Sequence, residues 1–132
     1  MKNSNNDQMR IGVIGMGPVG ATLAAHFVEA GAFLVACDVD PKKIDTIKKK
    51  GIILKNVIEK QVKVENACYS VQEMEMYDLD LVVIAVKTTA LKKVVRALGE
   101  IKTDKMYVMC AQNGIDNEQE AANIFGEDKT LR

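Results

Sequence analysis

Three glycines fall within six residues, Gly15-Met16-Gly17-Pro18-Val19-Gly20, between an apolar run and a helix-forming stretch, and a carboxylate, Asp38, follows about twenty residues later. That spacing suits the holding of a dinucleotide. Gly15 makes the tight turn out of a strand, Gly17 lets the backbone approach a pyrophosphate closely, and Gly20 lets the next helix lie tight on the sheet. Pro18 belongs to the first helical turn, where its missing N–H is no loss and its fixed φ favours initiation. Met16 and Val19 complete the cofactor-binding loop. The free N–H groups and the positive dipole end of the helix then face the phosphates. Asp38, at the end of the second strand, accepts hydrogen bonds from the adenosine ribose hydroxyls. The competing use of Asp38 is as a helix cap or turn residue ahead of Pro41, a job for which Asp40 is better placed.

Two further polar groups close apolar runs. Val86-Lys87 ends the stretch 79–86, and Gln112-Asn113-Gly114 follows 107–110. Carboxyl ends of parallel strands are where open α/β sheets bind ligands, so Lys87 and Asn113 are candidate site residues. The plainer alternatives are a solvated lysine before a helix and an Asn-Gly tight turn. His26 is the only histidine, and no serine, cysteine or carboxylate stands at catalytic spacing from it. It reads as a packing or surface residue. Cys37, Cys68 and Cys110 are odd in number, widely spaced and without a CxxC pair, which predicts reduced, mostly buried thiols and no metal site.

The elements that must position these groups alternate. Residues 10–14 and 33–37 read as buried strands, 21–30 as a helix stopped by Gly31, and 41–50 as a helix with Ile44 and Ile47 on one face, ended by Gly51. Ile52 to Leu54 and Val62 to Val64 suggest short strands, together a hairpin, and 71–76 a helical turn. The run 79–86 is a parallel strand covered on both faces. Thr88 or Thr89 is expected to cap a helix over 90–98 striped by Leu91, Val94, Val95 and Leu98. A strand at 107–110, a polar helix at 117–125 and the beginning of a strand at 130–132 complete the order. The prediction is a Rossmann-type, doubly wound, mainly parallel sheet with helices on both faces, its carboxyl edge gathering 15–20, Asp38, Lys87 and Asn113 around one crevice.

At 132 residues the chain suits one domain, with residues 1–9 a flexible lead. Lysine plus arginine equals aspartate plus glutamate at 18 each, so no basic field invites nucleic acid or an anionic membrane. No apolar run approaches a bilayer span, and the polar start lacks a signal-peptide core; the expected location is cytoplasmic.

The set Gly15-x-Gly17-x-x-Gly20, Leu81-Val82-Val83-Ile84-Ala85-Val86-Lys87 and Gln112-Asn113-Gly114 resembles the amino-terminal domain of ketopantoate reductases (2-dehydropantoate 2-reductases) across nearly the whole chain. The glycine loop is common to many dehydrogenases; Val-Lys after the fourth main strand with Gln-Asn-Gly after the fifth is more specific. The resemblance implies hydride transfer from a nicotinamide cofactor to a small 2-keto acid on the route to pantothenate and coenzyme A. It places Val86, Lys87 and Asn113 toward the nicotinamide end, with Lys87 supplying positive charge and Asn113 a hydrogen bond. The family's principal acid/base lysine, and the helical carboxyl-terminal domain that closes over substrate, are expected beyond residue 132.

One departure bears on the cofactor. NADPH-using members place a basic residue after the second strand, whereas Asp38 repels a 2′-phosphate and favours NAD(H), with NADP(H) left open by Lys42 and Lys43. Oligomerisation is also left open. The rival classes are a regulatory NAD-binding module of the potassium-transport type, which usually carries a Gly-Asp-Ala type segment at its third strand, and the nucleotide domain of another dehydrogenase. Val62-Lys63-Val64-Glu65-Asn66-Ala67 and Gln112-Asn113-Gly114 weigh against the first, and Val86-Lys87 with Gln112-Asn113-Gly114 against the second.

Overall fold

In the computed structural model, which describes residues 8–55, 59–111 and 117–131, strands and helices alternate as β1 (Arg10–Ile14), α1 (Pro18–Glu29), β2 (Phe33–Cys37) and α2 (Pro41–Lys50). There follow β3 (Ile52–Leu54), β4 (Lys60–Val62), β5 (Asn66–Cys68), a 3-10 helix (Gln72–Tyr77), β6 (Leu81–Ile84), α3 (Thr88–Ile101), β7 (Tyr107–Cys110), α4 (Asn117–Phe125) and β8 (Thr130–Leu131). Six strands form one sheet in the order β5-β2-β1-β6-β7-β8, every neighbour parallel, while β3 and β4 pair separately as an antiparallel hairpin. The expected doubly wound sheet is what forms. Its order reverses between β1 and β6, the topological switch point of this architecture.

Strand residues alternate between two cores. Ile11, Val13, Leu34, Ala36 and Val83 face α1 and α2, whereas Ile14, Val35, Cys37, Val82 and Ile84 face α3, α4 and the 3-10 helix. Burial on both faces explains why these strands read as continuous apolar runs rather than as alternating ones. The helices contribute narrow stripes: Ala24 and Ala25 from α1, Ile44 and Ile47 from α2, and Leu91, Val95, Leu98 and Ile101 from α3. Each fully buried aliphatic side chain stabilises the fold by about 1.5–3 kcal/mol relative to exposure.

The amino ends of the strands are tied by polar contacts. Arg10 and Asp80 exchange bonds, the Arg10 N–H donating to Asp80 Oδ2 at 2.8 Å and the Asp80 N–H to the Arg10 carbonyl at 2.7 Å. The Arg10 guanidinium donates to the Tyr77 carbonyl at 2.8 Å and lies 4.0 Å over the Phe33 ring. Lys105 bridges Asp80 at 3.0 Å and Asp78 at 3.1 Å. Burial raises the Asp80 pKa, but the Arg10 amide and Lys105 outweigh it and hold the carboxyl below its usual range. Of the residues expected in a flexible lead, Gln8 donates to the Gly31 carbonyl at 3.0 Å and Met9 accepts from the Phe33 N–H at 2.8 Å; residues 1–7 lie outside the described residues.

Several expected boundaries move. The first helix runs Pro18–Glu29, with Pro18 in its first turn as expected, Gly20 inside that turn, and its end one residue short of the expected Ala30. The hairpin's second strand is Lys60–Val62, not 62–64, because three-residue β3 offers ladder partners only there. The sheet's third strand is Asn66–Cys68 beside β2. Neither threonine caps α3. The helix runs back to Thr88, both threonines fall in its first turn, and Lys87 occupies the N-cap position with no side-chain cap.

Candidate functional site

β1 delivers Gly15 to the carboxyl edge at the switch point, and two of the loop's glycines are dictated by the fold itself. Gly15 has φ +99°, and a side chain there would meet the Ala85 carbonyl oxygen at 2.7 Å. A Cβ on Gly20 would fall 1.7 Å from the Gly15 carbonyl oxygen, so only glycine lets α1 leave the strand this steeply. Gly17 differs. Its φ is −76° and an added Cβ would meet nothing within 4 Å among the described residues, so neither strain nor packing against them demands glycine there. Its missing side chain leaves room for something outside the chain. Pro18 opens α1, whose first-turn N–H groups have no intrahelical carbonyl to reach. Val19, in that turn, is exposed.

The end of β2 is stitched to this loop. The Gly15 N–H donates to the Cys37 carbonyl at 2.8 Å, and the Met16 N–H donates to Asp38 Oδ2 at 2.7 Å. Asp38 Oδ1 accepts from the Asp40 N–H at 2.9 Å, and the Asp38 N–H donates to Cys68 on β5 at 3.2 Å. Asp38 is half-buried, with each carboxylate oxygen holding one backbone N–H and keeping a lone pair for a further donor. Asp40 takes the capping job, accepting from the Lys42 N–H at 3.0 Å ahead of Pro41.

Between the ends of β1 and β2 and the flank of α3 lies a cavity of about 320 Å³ that opens beside Gly15 and Asp38. Val39, Val71, Val86, Ala90, Val94 and Ala97 line it, and its wall is mostly apolar. Val94, counted from its spacing as part of the buried α3 stripe, is half-buried and turned to this cavity. The walls from Val71 and Ala90 had no signal in the sequence beyond small or branched apolar residues at helix-turn positions. Lys42 and Lys43 line a separate cleft of about 330 Å³ with Met16, Ala21 and Thr46, between α1 and α2.

Lys87 projects at the end of β6 as the exposed residue that begins α3, and it makes no ion pair with another described residue. Asn113 lies outside the described residues, as do Gln112 and Gly114; β7, which precedes them, ends at the same edge as β6, with Ile84 and Cys110 in register. The structure therefore brings the loop 15–20, Asp38, Val86 and Lys87 to one edge. His26 is exposed on α1. Cys37 and Cys68 are buried, Cys110 is half-buried and none is in a disulfide. Burial, then the neighbouring Cys68, pushes the Cys37 thiol up to about 12; burial, then Glu73, pushes Cys68 up to about 11. Among the described residues no group of three or more His, Cys, Asp or Glu side chains could hold a metal ion, and no helix is long and apolar enough to cross a membrane.

Residues 11–132 match the family model described as Ketopantoate reductase PanE/ApbA. A 2-dehydropantoate 2-reductase of Aquifex aeolicus (strain VF5) is 31% identical over 127 residues, covering 93% of this chain and 37% of its own length. One from Listeria innocua serovar 6a is 25% identical over 126 residues, covering 95% and 40%. In fold, a PanE/ApbA family ketopantoate reductase from Ralstonia eutropha JMP134 superimposes with a TM-score of 0.79 at 24% identity, over 89% of this chain and 39% of that one. The chain thus spans about two fifths of the relatives it matches.

Proposed function

The chain belongs to the ketopantoate reductase PanE/ApbA family, and on that premise we propose that its carboxyl edge holds a nicotinamide dinucleotide for hydride transfer to a small 2-keto acid. Membership sets aside the regulatory potassium-transport module. The observation that carries the proposal is Gly17, the one glycine of the loop that the fold does not require. A pyrophosphate drawn to the α1 N-terminus accounts for it, since a Cβ would stand between the backbone and the phosphate.

The residues fit such a cofactor. Gly15, Met16, Gly17, Pro18, Val19 and Gly20 form the pyrophosphate cradle, Asp38 accepts from the adenosine ribose, and the apolar cavity beside Val39 and Val71 takes a flat adenine. The nicotinamide, when bound, supplies the hydride. Val86 walls the approach to it. Lys87 holds positive charge where a substrate carboxylate and a developing alkoxide need it, and Asn113, on the family resemblance, donates a hydrogen bond at the same end. The fixed charge of Asp38 favours NADH over NADPH, by about a few kcal/mol at contact distance in a surface-like dielectric.

Turnover requires the ketone held in near-attack geometry and a proton donor, and the relatives are more than twice as long as this chain. A missing general acid alone lowers rate about 10²- to 10⁴-fold. The chain by itself is therefore a cofactor-binding half, in which Lys87 and Asn113 support a proton donor carried elsewhere in the enzyme. Calorimetric titration with NADH and NADPH tests this: saturable binding with NADH the tighter, at least about tenfold weaker in Gly17→Ala at unchanged fold. Tighter NADPH binding overturns the preference, and an unaffected Gly17→Ala variant overturns the placement of the pyrophosphate. Ketopantoate-dependent NADH oxidation by the 132-residue chain overturns the division of labour.

A further inference from the structure

We propose that Asp38 is a positioning residue for the glycine loop, holding the Met16 amide so that the loop stands ready for a diphosphate before any ribose hydroxyl arrives. The inference rests on the reading of the carboxyl edge as a dinucleotide site and goes beyond it, since the expected role of an acidic residue here is ribose recognition alone.

The geometry is specific. Two consecutive loop residues bond two consecutive residues at the end of β2: the Gly15 N–H to the Cys37 carbonyl at 2.8 Å and the Met16 N–H to Asp38 Oδ2 at 2.7 Å. The first continues the ladder between β1 and β2. The second replaces a backbone carbonyl by a carboxylate, and a charged acceptor makes the stronger bond. Asp38 can bear that load because it is held on two other sides, its N–H on the Cys68 carbonyl at 3.2 Å and its Oδ1 on the Asp40 N–H at 2.9 Å. The carboxylate is a strut joining the loop to the start of α2, and the Asp38 backbone N–H ties that strut to the edge strand β5.

The loop needs such a strut. Gly15 and Gly17 give Met16 a glycine on either side, and glycine gives a chain the widest choice of conformations to abandon on ordering. Engaging the Met16 N–H with protein leaves the α1 first turn to face an anion. Without the carboxylate, the loop would be ordered at the expense of ligand binding free energy.

Electrostatics and positioning predict opposite signs. Asp38 is a negative charge near the intended diphosphate, so if charge were its whole influence on the loop, neutralising it would tighten diphosphate binding. If it is a strut, neutralising it weakens binding even for a ligand with no hydroxyl to offer it. The test is calorimetric titration of the 132-residue chain with ADP and with 2′,3′-dideoxy-ADP, on the native sequence, Asp38→Ala and Asp38→Asn. The expected result is that dideoxy-ADP binds Asp38→Ala about three- to tenfold more weakly than the native chain, the scale of one hydrogen bond. Asp38→Asn should fall between them, its single oxygen replacing one of the two acceptors. The Met16 amide proton resonance should move upfield in both variants. Should the alanine variant unfold, the asparagine variant carries the comparison. Equal or tighter dideoxy-ADP binding by the variants, with ADP binding intact in the native chain, overturns this proposal alone. No saturable ADP binding by the native chain overturns the reading of the crevice, and this proposal with it.

Discussion

Gly15, Gly17 and Gly20 share a motif but answer to different constraints, and substitution separates them. In Gly20→Ala the new methyl group would meet the Gly15 carbonyl oxygen, a backbone atom, with no flexible side chain to yield. We expect a loss of about 1–3 kcal/mol, the usual scale of overpacking, and a melting temperature several degrees lower in a thermal scan. A melt unchanged within a degree would show that α1 can pivot away from β1. The jobs of Gly15 and Gly20 were legible in the sequence because each follows from the glycine's distance to the strand and the helix. The bond from Asp38 to the loop was not. The distance of Asp38 from the loop in sequence suggests a ribose acceptor, whereas its bond to Met16 depends on β1 and β2 lying in register, Ile14 beside Cys37, which only the folded sheet provides.

At the scale of elements, α2 and α3 begin in opposite ways. Asp40 caps α2 through the Lys42 N–H, with Pro41 in the first turn, as both residues suggested. α3 begins on Lys87, which offers no cap and sets a cation at the positive end of the helix dipole. Thr88-Thr89 resembled a cap because the sequence shows which residues can cap, not where the backbone enters the helix. A start so poor for stability fits a residue kept for a ligand's charge. Lys87→Asn should therefore raise the stability of the chain by about 0.5–1 kcal/mol, a shift of a few degrees in Tm, while removing a positive charge from the crevice. A fall in Tm would mean that Lys87 has a structural role at the strand end. The hairpin β3–β4 was legible as a pair but shifted by two residues, since alternation in Val62-Lys63-Val64 says nothing of how long the partner strand is.

At the scale of the whole molecule, ionisable groups set the range of pH in which the sheet holds. Asp80 titrates below its usual range in the fold, so its contribution is present above about pH 4 and is lost as pH falls through its depressed pKa. Lys105, raised by its bond to Asp80 in particular, contributes below the usual lysine pKa of about 10.4 and loses that contribution as pH climbs further. Cys37 and Cys68 ionise in the unfolded chain near the ordinary thiol value of 9.0 but only at about 12 and about 11 when folded. Stability carried by the neutral thiols is complete below about pH 9 and declines above it. Melting temperature measured across pH should thus fall on both limbs, with Asp80→Asn flattening the acid limb and Cys37→Ala the alkaline one. Persistence of the alkaline limb in a variant lacking both buried thiols would place its origin in the other groups raised in the fold, Lys105, Tyr69 and Tyr77.

The strand order also sets a sequence of events in time. β1 lies between β2, which follows it closely, and β6, whose last residue is Ile84. As the chain leaves the ribosome, β1 and β2 are complete once Cys37 has emerged, yet the other edge of β1 has no partner until Ile84 appears, an interval of roughly 2–10 s at about 5–20 residues per second. Through that interval an apolar strand destined for the centre of the sheet stands open on one side. Long-range parallel pairing of this kind folds slowly, and the exposed half-sheet is the species a chaperone would meet first.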